Sequence, residues 1–299
     1  MRNRVSDSAI TIALATSAMV PELTDDDRLL VDALAAAGVR AKPAVWTDSQ
    51  LDWRKYAGVV IRSTWDYHLK HDEFLSWLDR LSGARVPVWN TPALVKWNSE
   101  KTYLRELADA GVAIVPTRWL ECGDVFSLAD VFRDTGWDEA VVKPGISASA
   151  HDTWRVSAEP SAADESEFAR MVGRDRVLVQ PFIREVQTEG EWSLLFYGGS
   201  YSHSVIKRPA SRDFRVQREH GGTSERLEPP AHVIDAAARA LAAAEHGRAT
   251  TLYARVDGCV VDSSFVLMEL ELIEPDLFLR EHAYAPSRLA AALVRSMGG

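Results

Sequence analysis

Along the first hundred positions, short apolar blocks alternate with stretches of helical period. Residues 10–15 form one block, and Asp25, Asp26 and Asp27 then stand where carboxylates cap and complement a helix start. Leu29, Leu30, Ala33, Leu34 and Ala37 follow at helical spacing until Gly38 stops them. A second block, 59–61, opens into Arg62, Ser63, Thr64, Trp65, Asp66 and Tyr67. Buried strands alternating with helices predict a parallel sheet covered by helices, and polar groups just past such a strand face a ligand crevice. Ser63, Thr64, Trp65, Asp66 and Tyr67 are therefore candidate substrate contacts, with packing the plainer role for Trp65 and Tyr67.

Farther on, the pattern predicts a helix over 99–110 ended by Gly111, and a strand over 113–117 closed by Pro116. Strands follow at 140–144, ending in Lys143-Pro144, and at 177–182. Beyond Glu191 strands dominate, at 192–197, 201–207, 251–256 and 265–273, broken by a helix over 231–245.

The 299 residues, 46% hydrophobic and 26% charged, suffice for more than one core. A net charge of −9 argues against general affinity for nucleic acid, which needs clustered Lys and Arg. Two distant cysteines, Cys122 and Cys259, suggest neither a disulfide framework nor a thiolate metal site and fit a reducing cytoplasm. Residues 9–20, after Arg2 and Arg4, have some secretory character, but Asp7, Thr11, Thr16 and Ser17 interrupt it, so a buried strand is expected. No stretch approaches the roughly 20 apolar residues of a membrane span.

Candidate chemistry collects in the second half. In Glu269-Leu270-Glu271 alternate side chains share a face, so two carboxylates point together while Leu270 and Leu272 enter the core. Like charges side by side call for a cation, and Asp257 lies one strand earlier, so Asp257, Glu269 and Glu271 are candidate ligands for Mg²⁺, or Mn²⁺ as the alternative. A solvated strand face is the plainer reading. Lys143 closes a strand before a loop of small residues that includes Ser147 and Ser149, a setting in which backbone N–H groups and an ammonium can meet phosphate. Lys207, Arg215 and the Gly221-Gly222 turn form a third cluster suited to an anion. There is no P-loop motif and no glycine fingerprint after the first strand, which disfavours P-loop and dinucleotide readings.

In their order from Lys101 to Asp276 these signals resemble the ATP-grasp superfamily, on the side of glutathione synthetase, D-alanine–D-alanine ligase and ribosomal-protein glutamate ligase. Lys101 with Val115-Pro116-Thr117 matches the leading lysine segment, Lys143 the strand lysine, and Gln180, Pro181, Phe182 and Ile183 the hinge that reads adenine. Glu185, Glu189 and Glu191 are alternatives for the ribose. Arg255-Val256-Asp257 matches the metal strand, while Glu269-Leu270-Glu271 departs from the usual E-x-N in its second Glu. The resemblance implies an α/β, Rossmann-like N-terminal domain over 1–98 and two α+β ATP-grasp lobes over 99–182 and 183–299. It also implies ATP and Mg²⁺ as cofactors and an amino-acid-like small-molecule substrate, with no nucleic acid or membrane partner and a homodimer allowed. Lys207, Arg215 and Arg255 would then stabilise the transferring phosphoryl group.

Arg62–Tyr67, Trp97-Asn98, residues 189–193 and 213–217 further resemble a subgroup that includes cyclo-ligases closing O-ureido-D-serine to D-cycloserine. What this implies is a ligase that makes an acyl phosphate and attacks it with a nitrogen of the same molecule. An intermolecular amino-acid or peptide ligase and a non-catalytic nucleotide-binding module are the alternatives. For the water that carbamoyl loss requires, His203 and His220 are the candidate activators.

Overall fold

The computed structural model describes residues 10–210, 213–216 and 220–298. The first sheet is parallel, in the order β2-β1-β3-β4, from β1 (Thr11–Thr16), β2 (Arg40–Val45), β3 (Val59–Ser63) and β4 (Val88–Trp89). Helix α1 (Asp25–Ala36) starts at Thr24, whose hydroxyl accepts the Asp27 N–H at 3.0 Å, and three aspartates complement its first turn. Helix α2 (His71–Gly83) buries Phe74, Trp77, Leu78 and Leu81 against the other face. The first block is thus a central strand, as expected of residues 10–15.

Helix α3 (Pro92–Asn98) is followed by α4 (Tyr103–Asp109), which is the helix expected over 99–110 with its start moved to Tyr103. The break falls at Lys101, whose backbone N–H leaves the helical ladder for the Gly145 carbonyl at 2.8 Å. The strand expected at 113–117 is also corrected: only one bridge, Ile114 to Leu267, forms there.

The second sheet is antiparallel, in the order β5-β8-β6-β7. It comprises β5 (Arg118–Leu120), β6 (Glu139–Pro144), β7 (Trp154–Ser157) and β8 (Val177–Pro181). Helices α5 (Leu128–Thr135) and α6 (Ala162–Val172), each started by a capping box, pack with it around Phe132, Phe168 and Met171. A short helix, α7 (Glu185–Thr188), leads into the third sheet.

That sheet has the order β11-β10-β9-β12-β13, all antiparallel, from β9 (Glu191–Tyr197), β10 (Ser200–Arg208), β11 (Thr223–Arg226), β12 (Tyr253–Val261) and β13 (Ser264–Glu271). Helix α8 (Ala231–Glu245) covers one face with small buried residues, Ala237, Ala240 and Ala244. Helix α9 (Ala285–Met297) returns to the first sheet, and Leu289 and Leu293 share a core with Ile12, Leu14, Leu30 and Leu34. Among the described residues no helix is long and apolar enough to cross a membrane.

Candidate active site

A cavity of about 740 Å³ opens where the three sheets meet. Its base is built by strand alternation and by two side-chain clamps. β13 is an edge strand, and Asn98 satisfies its free backbone by donating to the Leu270 carbonyl at 2.8 Å and accepting the Leu272 N–H at 2.9 Å. Between these bonds the Tyr103 hydroxyl accepts the Leu270 N–H at 3.0 Å. With Leu270 and Leu272 buried on one side, Glu269 and Glu271 are held on the cavity side. Asp257 of β12 lies opposite Glu269 in the ladder, next to a register shift at Gly258. A Cβ at Gly258 would stand 2.3 Å from the Val266 carbonyl oxygen, so the close approach requires glycine.

Each of these three carboxylates meets a cation of the protein. Lys101 reaches Glu269 at 3.0 Å and donates to the Ser147 carbonyl at 2.9 Å. Lys207 contacts Glu191 at 2.5 Å and Asp257 at 3.2 Å. Arg255 grips Asp257 through Nε and Nη2, pairs with Glu271, and donates to the Asp276 carbonyl at 3.1 Å. Ser193 adds a 2.6 Å hydrogen bond to Asp257. The three acids therefore share one cavity wall, but among the described residues no group of three acidic, His or Cys side chains is gathered closely enough to hold a metal. As the side chains stand, lysine and arginine supply their counter-charge.

The charge states follow from these pairs. Burial works against ionised Asp257, yet Arg255 and Lys207 outweigh it and hold the carboxyl below its ordinary value. Glu269 is likewise lowered against burial, by Lys101 and Lys143. Glu271 goes the other way: burial, aided by Asp257 and Glu269, exceeds the pull of Arg255 and pushes it up to about 8. The donors that Asp257, Glu269 and Glu271 offer are all carboxylate oxygens on one wall of the cavity, a set that suits a hard divalent cation, and in that chemistry the residues fit Mg²⁺. Lys143 has no ion-pair partner among the described residues, and burial brings its ammonium down to about 8.

Several expected residues line the cavity together: Lys101, Lys143, Ser147, Ser149, Gln180, Phe182, Ile183, Glu191, Lys207, Arg215 and Arg255, with Trp65, Asp66 and Tyr67 from the first domain. Gln180 is fixed by a 2.9 Å hydrogen bond to Thr117, and Arg155 stacks 3.8 Å from the Phe182 ring centroid. Of the three ribose candidates only Glu191 faces the cavity; Glu185 and Glu189 do not line it. Arg215 reaches the cavity but is paired with Asp213 at 2.9 Å. Gln217, Arg2, Arg4 and Asp7 lie outside the described residues.

Other expectations are corrected. Ser63 and Thr64 are buried inside the first domain rather than in the cavity, Ser63 donating to Asp27, which also pairs with buried Arg62 at 2.8 Å. Gly221 and Gly222 do not line the cavity, whereas their neighbours Thr223 and Ser224 do. His203 is buried beside Ser202, its Nε2 3.2 Å from the Phe278 carbonyl, and burial brings it down to about 4; neither it nor His220 reaches the cavity.

Sequence reasoning missed His68, His151 and Glu274. His68 lines the cavity, and its ring lies 5.3 Å from that of His151, which belongs to the small-residue loop after Lys143. Ser149, Ala150 and Asp152 of that loop have positive φ, an arrangement that spacing could not reveal.

The fold is that of the ATP-grasp ligases. In particular, the chain is similar over its length to a D-cycloserine synthetase. Residues 12–90 match the family model described as D-cycloserine synthetase DcsG, N-terminal domain. Cycloserine biosynthesis protein DcsG of Streptomyces lavendulae is 29% identical over 302 residues, covering 96% of this chain and 98% of that protein. The crystal structure of D-cycloserine synthetase DcsG matches with a TM-score of 0.86 at 28% identity, over 96% of this chain and 99% of the other. A D-alanine–D-alanine ligase from Bacillus anthracis, solved with ATP, shares the fold with a TM-score of 0.69 at 16% identity, covering 97% of each chain.

Proposed function

We propose that this enzyme phosphorylates the carboxylate of an amino-acid-like substrate and closes the acyl phosphate internally, converting O-ureido-D-serine to D-cycloserine. The observation that carries the reading is the likeness to DcsG over 96% of the chain at a TM-score of 0.86. The cavity supports it, because Trp65, Asp66 and Tyr67 of the first domain face the same space as Lys101, Lys143 and Lys207.

In this reading a substrate carboxylate oxygen attacks the γ-phosphorus of ATP and ADP leaves. The ring nitrogen then bonds to the acyl carbon and phosphate departs. Water removes the carbamoyl group as carbon dioxide and ammonia, so one ATP and one water are consumed per ring. Asp257, Glu269 and Glu271 would hold Mg²⁺, which neutralises phosphate charge when bound. Lys101, Lys143 and Lys207 contribute fixed positive charge where negative charge moves between oxygens, and Arg255 holds Asp257 and Glu271 in place. Gln180 to Ile183 would receive the adenine, and Glu191 is the ribose candidate that faces the cavity. Its dependence on ATP suits a cytoplasmic enzyme.

The test is to incubate the protein with ATP, Mg²⁺ and O-ureido-D-serine beside a panel of amino acids, following ADP release and product mass. D-Cycloserine formed without an added amine is the expected result. Turnover that requires a second amine would instead assign an intermolecular ligase.

A further inference from the structure

Among the carboxylates of the cavity, Glu274 differs from its neighbours. Glu191, Asp257, Glu269 and Glu271 are each in contact with a lysine or arginine, and Asp66 is held by Lys70 at 2.9 Å. Asp276 receives the Phe278 N–H at 2.8 Å. Among the described residues the Glu274 side chain has no ion pair, yet it lines the cavity; Lys101 and Arg255 act on it only from a distance.

The segment that carries it is fixed against the first domain. Trp65 Nε1 donates to the Glu274 carbonyl at 3.2 Å, and Arg62 Nη2 donates to the Pro275 carbonyl at 2.8 Å. Tyr67 also lines the cavity, and after burial Glu274 is the charge that raises its hydroxyl most. A carboxylate is thus placed on the segment held by Trp65 and near Tyr67, with no cation in contact with it among the described residues.

We infer that Glu274 is the specificity residue that receives the α-ammonium group of the amino-acid substrate. The assignment rests on the reading of the substrate as an amino acid. An ammonium group donates charge-assisted hydrogen bonds to a carboxylate, and in a buried site such a pair discriminates strongly against a ligand that lacks the donor. The reacting carboxylate of the same molecule would then extend toward Lys101 and Lys143. Burial pushes Glu274 up to about 7, with Glu269 adding to it, and a bound ammonium would return it to the ionised form.

The experiment compares O-ureido-D-serine with its counterpart lacking the amino group, 3-(ureidooxy)propanoate, on the full-length enzyme with ATP and Mg²⁺. For the wild type the amino compound should have the lower KM, by about 10- to 100-fold. In Glu274→Gln that preference should collapse toward unity through the KM of the amino compound, while ADP affinity stays unchanged. Glu274→Asp, which keeps the charge, should retain the preference and guards against a Gln variant that fails to fold. Preference retained in Glu274→Gln, or absent from the wild type, overturns the assignment. If O-ureido-D-serine is refused but another amino acid of the panel is turned over, the ring-closing reading fails, and the same comparison on that amino acid still judges Glu274.

Discussion

Single side chains in this cavity are tuned by what surrounds them, and Lys143 offers the clearest consequence. Its ammonium, brought down by burial to about 8 from 10.5, has among the described residues no carboxylate partner such as Lys101 and Lys207 possess. Phosphate oxygens beside it favour the charged form, so nucleotide binding raises its pKa. Below about pH 8 no proton need be taken up on binding; above it one must, and affinity falls by up to about tenfold per pH unit. Titration calorimetry with ADP should show a flat Kd below about pH 7.5 and weakening toward about pH 9.5, with that slope lost in Lys143→Met. For folding the direction is opposite. The unfolded lysine keeps its proton to higher pH than the folded one, so stability rises between about 8 and 10.5 as the buried charge disappears. Asp66 teaches a different lesson. Asp66→Ala is expected to weaken substrate binding and leave ATP binding nearly unchanged, and the structure adds a second effect, because the carboxylate accepts Trp46 Nε1 at 2.8 Å in a buried setting. Replacement should therefore lower stability by about 1–3 kcal/mol, read from the denaturation midpoint, besides any change in KM.

At the scale of elements, the site depends on one edge strand held by side chains instead of by a neighbouring strand. Asn98→Ala would leave the Leu270 carbonyl and the Leu272 N–H without their buried partner, at a cost of about 2–4 kcal/mol, and should depress kcat as Glu269 and Glu271 lose alignment. Thermal melting together with steady-state kinetics checks both effects. Gly258→Ala should displace Asp257, because the added methyl meets the Val266 carbonyl and the Phe265 ring, and both stability and kcat are expected to fall. The alternation of Glu269-Leu270-Glu271 was legible in the sequence, since a period of two needs only local information. So were the blocks that became β1, β3, β6 and β8 and the helix α8. Residues 113–117 were not, because their apolar run satisfies Leu267 at a single bridge and then turns away. The break at Lys101 also lay beyond local reading: it arises from the distant Gly145 carbonyl, and it leaves Lys101 able to reach Glu269. Glu274 and His68 escaped for the same reason, as each gains meaning from residues far along the chain.

For the molecule as a whole, the cavity is a junction of three sheets, so a nucleotide should couple their stabilities. A nucleotide present at about a hundred times its Kd adds about 2.7 kcal/mol, and differential scanning fluorimetry with ADP and Mg²⁺ should show a single transition moved upward. Chelation by EDTA should abolish turnover and reduce that upward shift without unfolding the protein, because Arg255, Lys101 and Lys207 already balance the acids. The return of α9 to the first sheet has its own effect on how the protein is made. Ile12 and Leu14 are translated early, yet the leucines that cover them, Leu289 and Leu293, come nearly three hundred codons later. The first sheet must therefore wait, with part of its apolar surface open, until α9 has left the exit tunnel and packed on it, so the unfinished chain carries an exposed apolar patch throughout its synthesis.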